Sequence, residues 1–180
     1  MEPALPAAGE LRIALIGARG AGKSTVGARL AALLGLPFVD LDRETSPEEP
    51  AGALLARLGA PAFRARELAA LERVLARPGP FVLAAGGGVV ETPAARALLG
   101  RGARCVWLRA PPALLRARLA ADPAPRPPLD GADALLEIEE VLGRREPLYA
   151  ALACSTVDAA LAPERVARAA AGALGLLRAL

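Results

Sequence analysis

The sequence predicts an α/β fold in three α-β-α layers, a parallel sheet with helices on both faces. Three observations predict it. Short apolar runs alternate with helix-length amphipathic stretches from end to end. The first three runs stop at Gly17, Asp40 and Gly86, residue types that turn a chain at a strand end. The first run leads straight into Gly17-Ala18-Arg19-Gly20-Ala21-Gly22-Lys23-Ser24-Thr25, a glycine loop set between a strand and a helix.

Taken in order, Leu11 to Ile16 is apolar and ends in glycine, which reads as a buried strand. Val26 to Leu34 has helical spacing and stops at Gly35. Pro37-Phe38-Val39 is a short second strand ending at Asp40-Leu41-Asp42, where Asp40 and Asp42 share a face if strand geometry persists. Ser46 to Pro50 is a loop. Ala51 to Leu58 and Ala62 to Ala76 are helices parted by Gly59 and Pro61. Phe81 to Ala85 is a third strand, ending at Gly86-Gly87-Gly88, and Pro93 to Leu99 is a helix. Arg104 to Leu108 is a fourth strand, and Pro111 to Ala120 a helix with proline where its missing N–H costs little. Asp122 to Gly131 is too proline-rich for regular structure and reads as a mobile lid, spanning about residues 121–131, with Arg126 at its middle. Ala134 to Leu148 is helical, Ser155-Thr156-Val157 is a fifth strand, and Pro163 to Leu180 is a final amphipathic helix. The 180 residues suit one domain, with its core over about 11–180.

Composition narrows the function. The net charge is only +3, the arginines are dispersed among acids, and aromatics make up 3% of the chain, so nucleic acid is not the expected partner. No run of 18 or more apolar residues suggests a membrane span. Met1 to Glu10 carries acid rather than base and reads as a frayed leader, not a signal peptide. Cys105 and Cys154 read as reduced core thiols of a cytoplasmic protein. Nothing marks an interface, and a monomer is expected.

Lys23 is the only lysine, in a chain with no histidine. A coding bias toward arginine explains the scarcity but not the position. A lone lysine placed at random would acquire this glycine and hydroxyl pattern roughly once in 2,500 times. The loop therefore reads as a phosphate cradle. Backbone N–H groups around Gly20, Ala21 and Gly22 turn toward phosphate oxygens at a helix N-terminus, and Lys23 reaches the β- and γ-phosphates. The hydroxyls of Ser24 and Thr25 follow, with Ser24 placed to hold Mg²⁺. ATP is the default nucleotide. Asp40 and Asp42, two apart on an extended strand end, would face the same way. One suits Mg²⁺ through water, and the other a substrate hydroxyl or its proton; a helix cap plus a surface acid is the plainer alternative. The Gly86-Gly87-Gly88 triplet would let backbone approach a ligand closely. Arg64 and Arg145 lie on separate helices and could fork onto a carboxylate, while Arg126 could arrive on lid closure, although from spacing alone a solvated face is the plainer reading of all three. The phosphate loop, Asp40 with Asp42, and the glycine triplet each follow a strand, so all three belong on the edge where ligands of parallel sheets bind.

The order of motifs resembles the shikimate kinase family. It runs through Gly17–Thr25, Phe38-Val39-Asp40-Leu41-Asp42-Arg43, Phe63-Arg64 with Glu67, the glycine triplet, Val106-Trp107-Leu108, Arg126-Pro127 and Arg145-Glu146-Pro147-Leu148-Tyr149, covering most of the chain. The resemblance implies a nucleoside-monophosphate-kinase-like P-loop fold with a five-stranded parallel sheet. It implies transfer of the ATP γ-phosphoryl group to the 3-hydroxyl of shikimate, with Mg²⁺. In it Asp42 is the base, Arg64 and Arg145 clamp the carboxylate, and Gly86, Gly87 and Gly88 line the ring with Phe63 nearby. Lys23 and Arg126 act on the phosphoryl group, Arg118 stacks on adenine beside Pro127, and Glu67 holds Arg64. The acceptor segment, about 42–70, departs from the pattern: it is shortened before Arg64, with Leu55 for a common Phe and Gly59-Ala60 before Phe63. The lid reads Arg126-Pro127-Pro128-Leu129. A related small-polyol kinase, such as gluconate kinase, and a ligand-sensing module without turnover remain the alternative readings.

Overall fold

A computed structural model describes residues 11–121 and 137–177. The leader Met1–Glu10, the Pro-rich segment with Arg126 and the start expected for the following helix lie outside them. Five strands form one sheet: β1 (Arg12–Ile16), β2 (Phe38–Asp40), β3 (Phe81–Ala84), β4 (Arg104–Arg109) and β5 (Ser155–Asp158). The spatial order is β2-β3-β1-β4-β5 and every pairing is parallel.

Strand alternation builds two cores. Ile13 and Leu15 of β1, Val82 of β3 and Val106 and Leu108 of β4 face one side. They pack there against α1 (Lys23–Leu34) and α8 (Pro163–Ala173) through Val26, Leu30, Val166 and Ala170. Ala14, Ile16, Leu83, Cys105 and Trp107 face the other side. They meet α4 (Ala60–Leu75), α5 (Pro93–Gly102) and α7 (Glu137–Leu152) through Leu71, Val74, Leu99 and Tyr149. Both faces being covered explains why these strands read as continuous apolar runs. The connections are completed by α2 (Leu41–Thr45), α3 (Ala51–Leu58), α6 (Pro112–Ala120) and a 3₁₀ turn, Val89–Glu91. Among the described residues no helix is long and apolar enough to cross a membrane.

Several element ends differ from expectation. Extended geometry does not persist through Asp42. The chain turns into α2 at Leu41, because the Asp40 carboxylate accepts the Asp42 N–H at 3.0 Å and caps the helix. Leu41 is thereby buried completely. Asp40 and Asp42 are consequently a cap and a first-turn residue, not two rungs of a strand. The last helix stops at Ala173 rather than reaching Leu180, since Gly175 adopts φ 69° and the Leu176 N–H turns back to the Ala171 carbonyl. In contrast, α7 runs through Pro147 to Leu152, past the expected end at Leu148.

Candidate active site

The carboxyl ends of β2, β3 and β1 are neighbours in the sheet, so the three loops that follow them share one edge. Behind β1, Gly17 has φ 143°, and a Cβ there would fall 2.6 Å from the Leu108 carbonyl oxygen. Only glycine lets the loop leave the strand so close to β4. The loop then enters α1, whose first turn holds no acidic residue. The positive end of the helix is thus left for an anion. Lys23 opens α1, and its ammonium donates to the Gly17 and Ala18 carbonyls at 2.9 and 2.8 Å, across the mouth of the loop. Ser24 and Thr25 are exposed beside it. Arg118, on α6, donates to the carbonyls of Gly20 (3.2 Å) and Ala159 (2.9 Å), tying the loop to the chain after β5.

Glu67 and Asp42 crowd the first glycine of the triplet. A Cβ on Gly86 would overlap Oε1 of Glu67 and lie 3.2 Å from Oδ1 of Asp42. Gly88 is hemmed in by the Arg64 guanidinium, whose Cζ would lie 2.5 Å from an added Cβ. The glycines therefore make room for side chains from α2 and α4. Tyr149 of α7 donates to the Gly87 carbonyl at 2.5 Å and fixes the middle of the triplet.

Two guanidinium groups converge beyond the triplet. Arg64 donates through Nη1 to Glu67 at 2.8 Å and lies over the Phe63 ring, 5.5 Å from its centroid. Arg145 arrives from α7 and is only 3% exposed. One carboxylate joins them: Glu91 accepts from Arg145 Nε at 2.9 Å and from Arg64 Nη2 at 3.2 Å. The two acids differ in character. Burial raises the Glu67 pKa, against the pull of Arg64 and with a small push from Asp42. Burial would raise Glu91 too, but the Arg145 hydrogen bond and the charges of Arg145, Arg64 and Arg144 hold it below the usual carboxylate range. Burial pushes the Tyr149 hydroxyl up to about 12.

The edge thus has two ends. Gly20, Ala21, Gly22, Lys23, Ser24, Thr25 and Arg118 gather at the phosphate loop, whereas Asp42, Arg64, Arg145 and Gly86, Gly87 and Gly88 gather at the triplet. Arg126 lies outside the described residues. Among the described residues no three His, Cys, Asp or Glu cluster as a metal cage. Mg²⁺ arrives with phosphate and water ligands and needs only one or two protein groups. Ser24 could supply a hydroxyl, and Asp40, one of whose oxygens caps α2, keeps a second oxygen for a metal-bound water. Sequence reasoning missed Glu91, whose only signal was an acid three residues after the triplet, and gave Tyr149 no role.

The family model described as shikimate kinase matches residues 19–174. Shikimate kinase 2 of Yersinia enterocolitica is 40% identical over 158 residues, covering 86% of this chain and 90% of that one. A structure of shikimate kinase from Acinetobacter baumannii in complex with shikimate superposes with a TM-score of 0.81 at 31% identity, over 89% of this chain and 90% of that one. Likeness falls to a TM-score of 0.64 and 25% identity for a gluconokinase from Sinorhizobium meliloti, over 92% of each chain.

Proposed function

The chain belongs to the shikimate kinase family, and from that premise we propose that it transfers the γ-phosphoryl group of ATP to the 3-hydroxyl of shikimate, giving shikimate 3-phosphate and ADP. The observation that carries this reading is the pair Arg64 and Arg145. They come from different helices, converge on a single carboxylate, and do so next to Asp42 and the glycine triplet on the edge that also holds the phosphate loop. An acceptor acid gripped there would present its ring to Gly86–Gly88 and a hydroxyl to Asp42.

In this reading Lys23 exchanges the Gly17 and Ala18 carbonyls for oxygens of the β- and γ-phosphates. Asp42 takes the proton of the acceptor hydroxyl as its oxygen attacks the γ-phosphorus, and the bond to the ADP oxygen breaks. Mg²⁺, held by Ser24 and through water by Asp40, would neutralise phosphate charge when bound. Arg118, beside the loop after β5, is suited to the adenine end, although here both its Nη groups serve backbone carbonyls. Arg126 would join from the lid. Glu67, buried behind Arg64, fixes that guanidinium. The protein would work as a cytoplasmic monomer with small-molecule partners only.

A coupled ADP-release assay with shikimate, quinate and gluconate tests the proposal. Release with shikimate at about 1–100 s⁻¹ is expected. Release with gluconate alone would point to the polyol-kinase reading. Shikimate binding with no release above the acceptor-free control would make the chain a sensor.

A further inference from the structure

Glu91 stands where an acceptor's carboxylate would stand. It ends the 3₁₀ turn after the triplet, with its N–H held by the Gly88 carbonyl at 3.0 Å. Its two oxygens are divided between the two arginines, Oε1 on Arg145 at 2.9 Å and Oε2 on Arg64 at 3.2 Å. A bridging carboxylate ligand would make the same contacts with the same donors. The other acid of the clamp is placed differently. Glu67 is 2% exposed and backs Arg64 from the core, whereas Glu91 is 36% exposed, so solvent and ligand can reach it.

Charge argues the same way. Two arginines with Glu67 and Glu91 sum to zero, and Asp42 adds a further negative charge close to Glu67. A carboxylate entering that neutral clamp would crowd a third acid against the same donors. With Glu91 turned out to water, the clamp carries +1 and matches a single carboxylate. Glu91 can make that turn because it already reaches water, and the incoming carboxylate takes its place on the buried Arg145; Glu67, 2% exposed, has no water to turn to.

We infer that Glu91, bridging Arg64 and Arg145, is an internal occupant of the acceptor-carboxylate site, and that a carboxylate acceptor binds by displacing it from the arginines. Glu91 is therefore a specificity-determining residue: it sets how strongly an acid must bind to enter. This inference rests on the shikimate-phosphorylating reading above.

The test compares wild type with Glu91→Gln and Glu91→Thr, using calorimetric titration with shikimate and steady-state kinetics. Glu164→Gln, on α8 and paired with Arg29, is a control for charge alone. Both Glu91 variants should bind shikimate roughly 5- to 30-fold more tightly and lower its KM alike. The KM for ATP should not follow, and kcat should move far less than the shikimate KM. A strut that merely aligns the arginines predicts the opposite sign. Unchanged or weakened shikimate binding in folded variants therefore overturns the inference. So does an equal tightening in Glu164→Gln. Wild-type protein that neither binds nor phosphorylates shikimate overturns the functional reading, and this inference with it. Wild-type turnover with unimproved variants overturns only the role of Glu91.

Discussion

Adding one methyl group at Gly88 tests the proposed acceptor clamp separately from the rest of the enzyme. The backbone there has φ −103°, which alanine adopts without strain. The obstacle is the Arg64 guanidinium. A Cβ would lie 2.5 Å from Cζ and 2.9 Å from Nη1, with Nη2 nearer still, whereas real Cβ contacts stay beyond 3.0 Å. The guanidinium is the far end of a flexible side chain, so it would yield rather than the backbone. Its retreat of order 1 Å would break the alignment with Arg145, and misplacement on that scale can cost ~10²-fold. Losing one or two charged hydrogen bonds to the acceptor predicts a shikimate KM raised about 10- to 100-fold. The KM for ATP should stay within about twofold, because the phosphate loop follows a different strand. Stability should fall by about 1–2 kcal/mol, since Glu67, 2% exposed, loses the alignment of its ion pair. A thermal melt should register that as about 2–8 °C. Steady-state kinetics with each substrate varied in turn is the assay. A wild-type shikimate KM in folded Gly88→Ala, or an equal rise in both KM values, would refute the clamp.

Other expectations follow from the same geometry. Asp42→Asn should lower kcat by about 10²-fold or more while sparing ATP binding measured by titration, and unchanged turnover would remove Asp42 as the base. Tyr149 and Cys105 are both held at about 12 by burial, from ordinary values of 10.0 and 9.0. For groups raised on folding, the folded state holds the proton longer, so stability is full below the ordinary value and is lost as pH rises through the folded one. Thermal melts should therefore hold up to about pH 9 and fall steeply from there toward 12. Tyr149 is the only tyrosine, so its phenolate absorbance reports one site, and a midpoint near 10 in folded protein would contradict its burial. Gly27→Ala should cost about 1–2 kcal/mol despite better helix propensity, because a Cβ there would meet the Phe38 ring at 2.6 Å. A raised melting temperature would show that β2 has room to move.

Much of the fold was legible because the strands are buried on both faces and the connections are helical. Ile13-Ala14-Leu15-Ile16 and Phe81-Val82-Leu83-Ala84 can be read as strands without knowing what they touch. The sequence was less informative where a short polar contact decides an end. Asp40 could have continued a strand or capped a helix, and one 3.0 Å bond to the Asp42 N–H settles it. The helix containing Pro147 is expected to end at Leu148, yet α7 continues to Leu152. The acceptor end shows the same limit. Arg64 and Arg145 looked like two of many dispersed arginines until the motif order set them apart.

By itself, then, the sequence determined the phosphate loop, the alternation that makes a parallel sheet, and the family. These are local or ordered patterns: glycine spacing, hydrophobic period and motif succession survive in one dimension. Only the tertiary structure decided which charges meet. Arg64 and Glu91 are 27 residues apart, and Glu91 and Arg145 are 54 apart. The sheet order brings β3 beside β1, while the packing of α4 and α7 over the same sheet face carries Arg64 and Arg145 to its edge. Ion pairing depends on distances of a few ångströms and on exclusion of water. Neither quantity is written in residue spacing, so Glu91 remained an ordinary surface acid until the chain was folded around it.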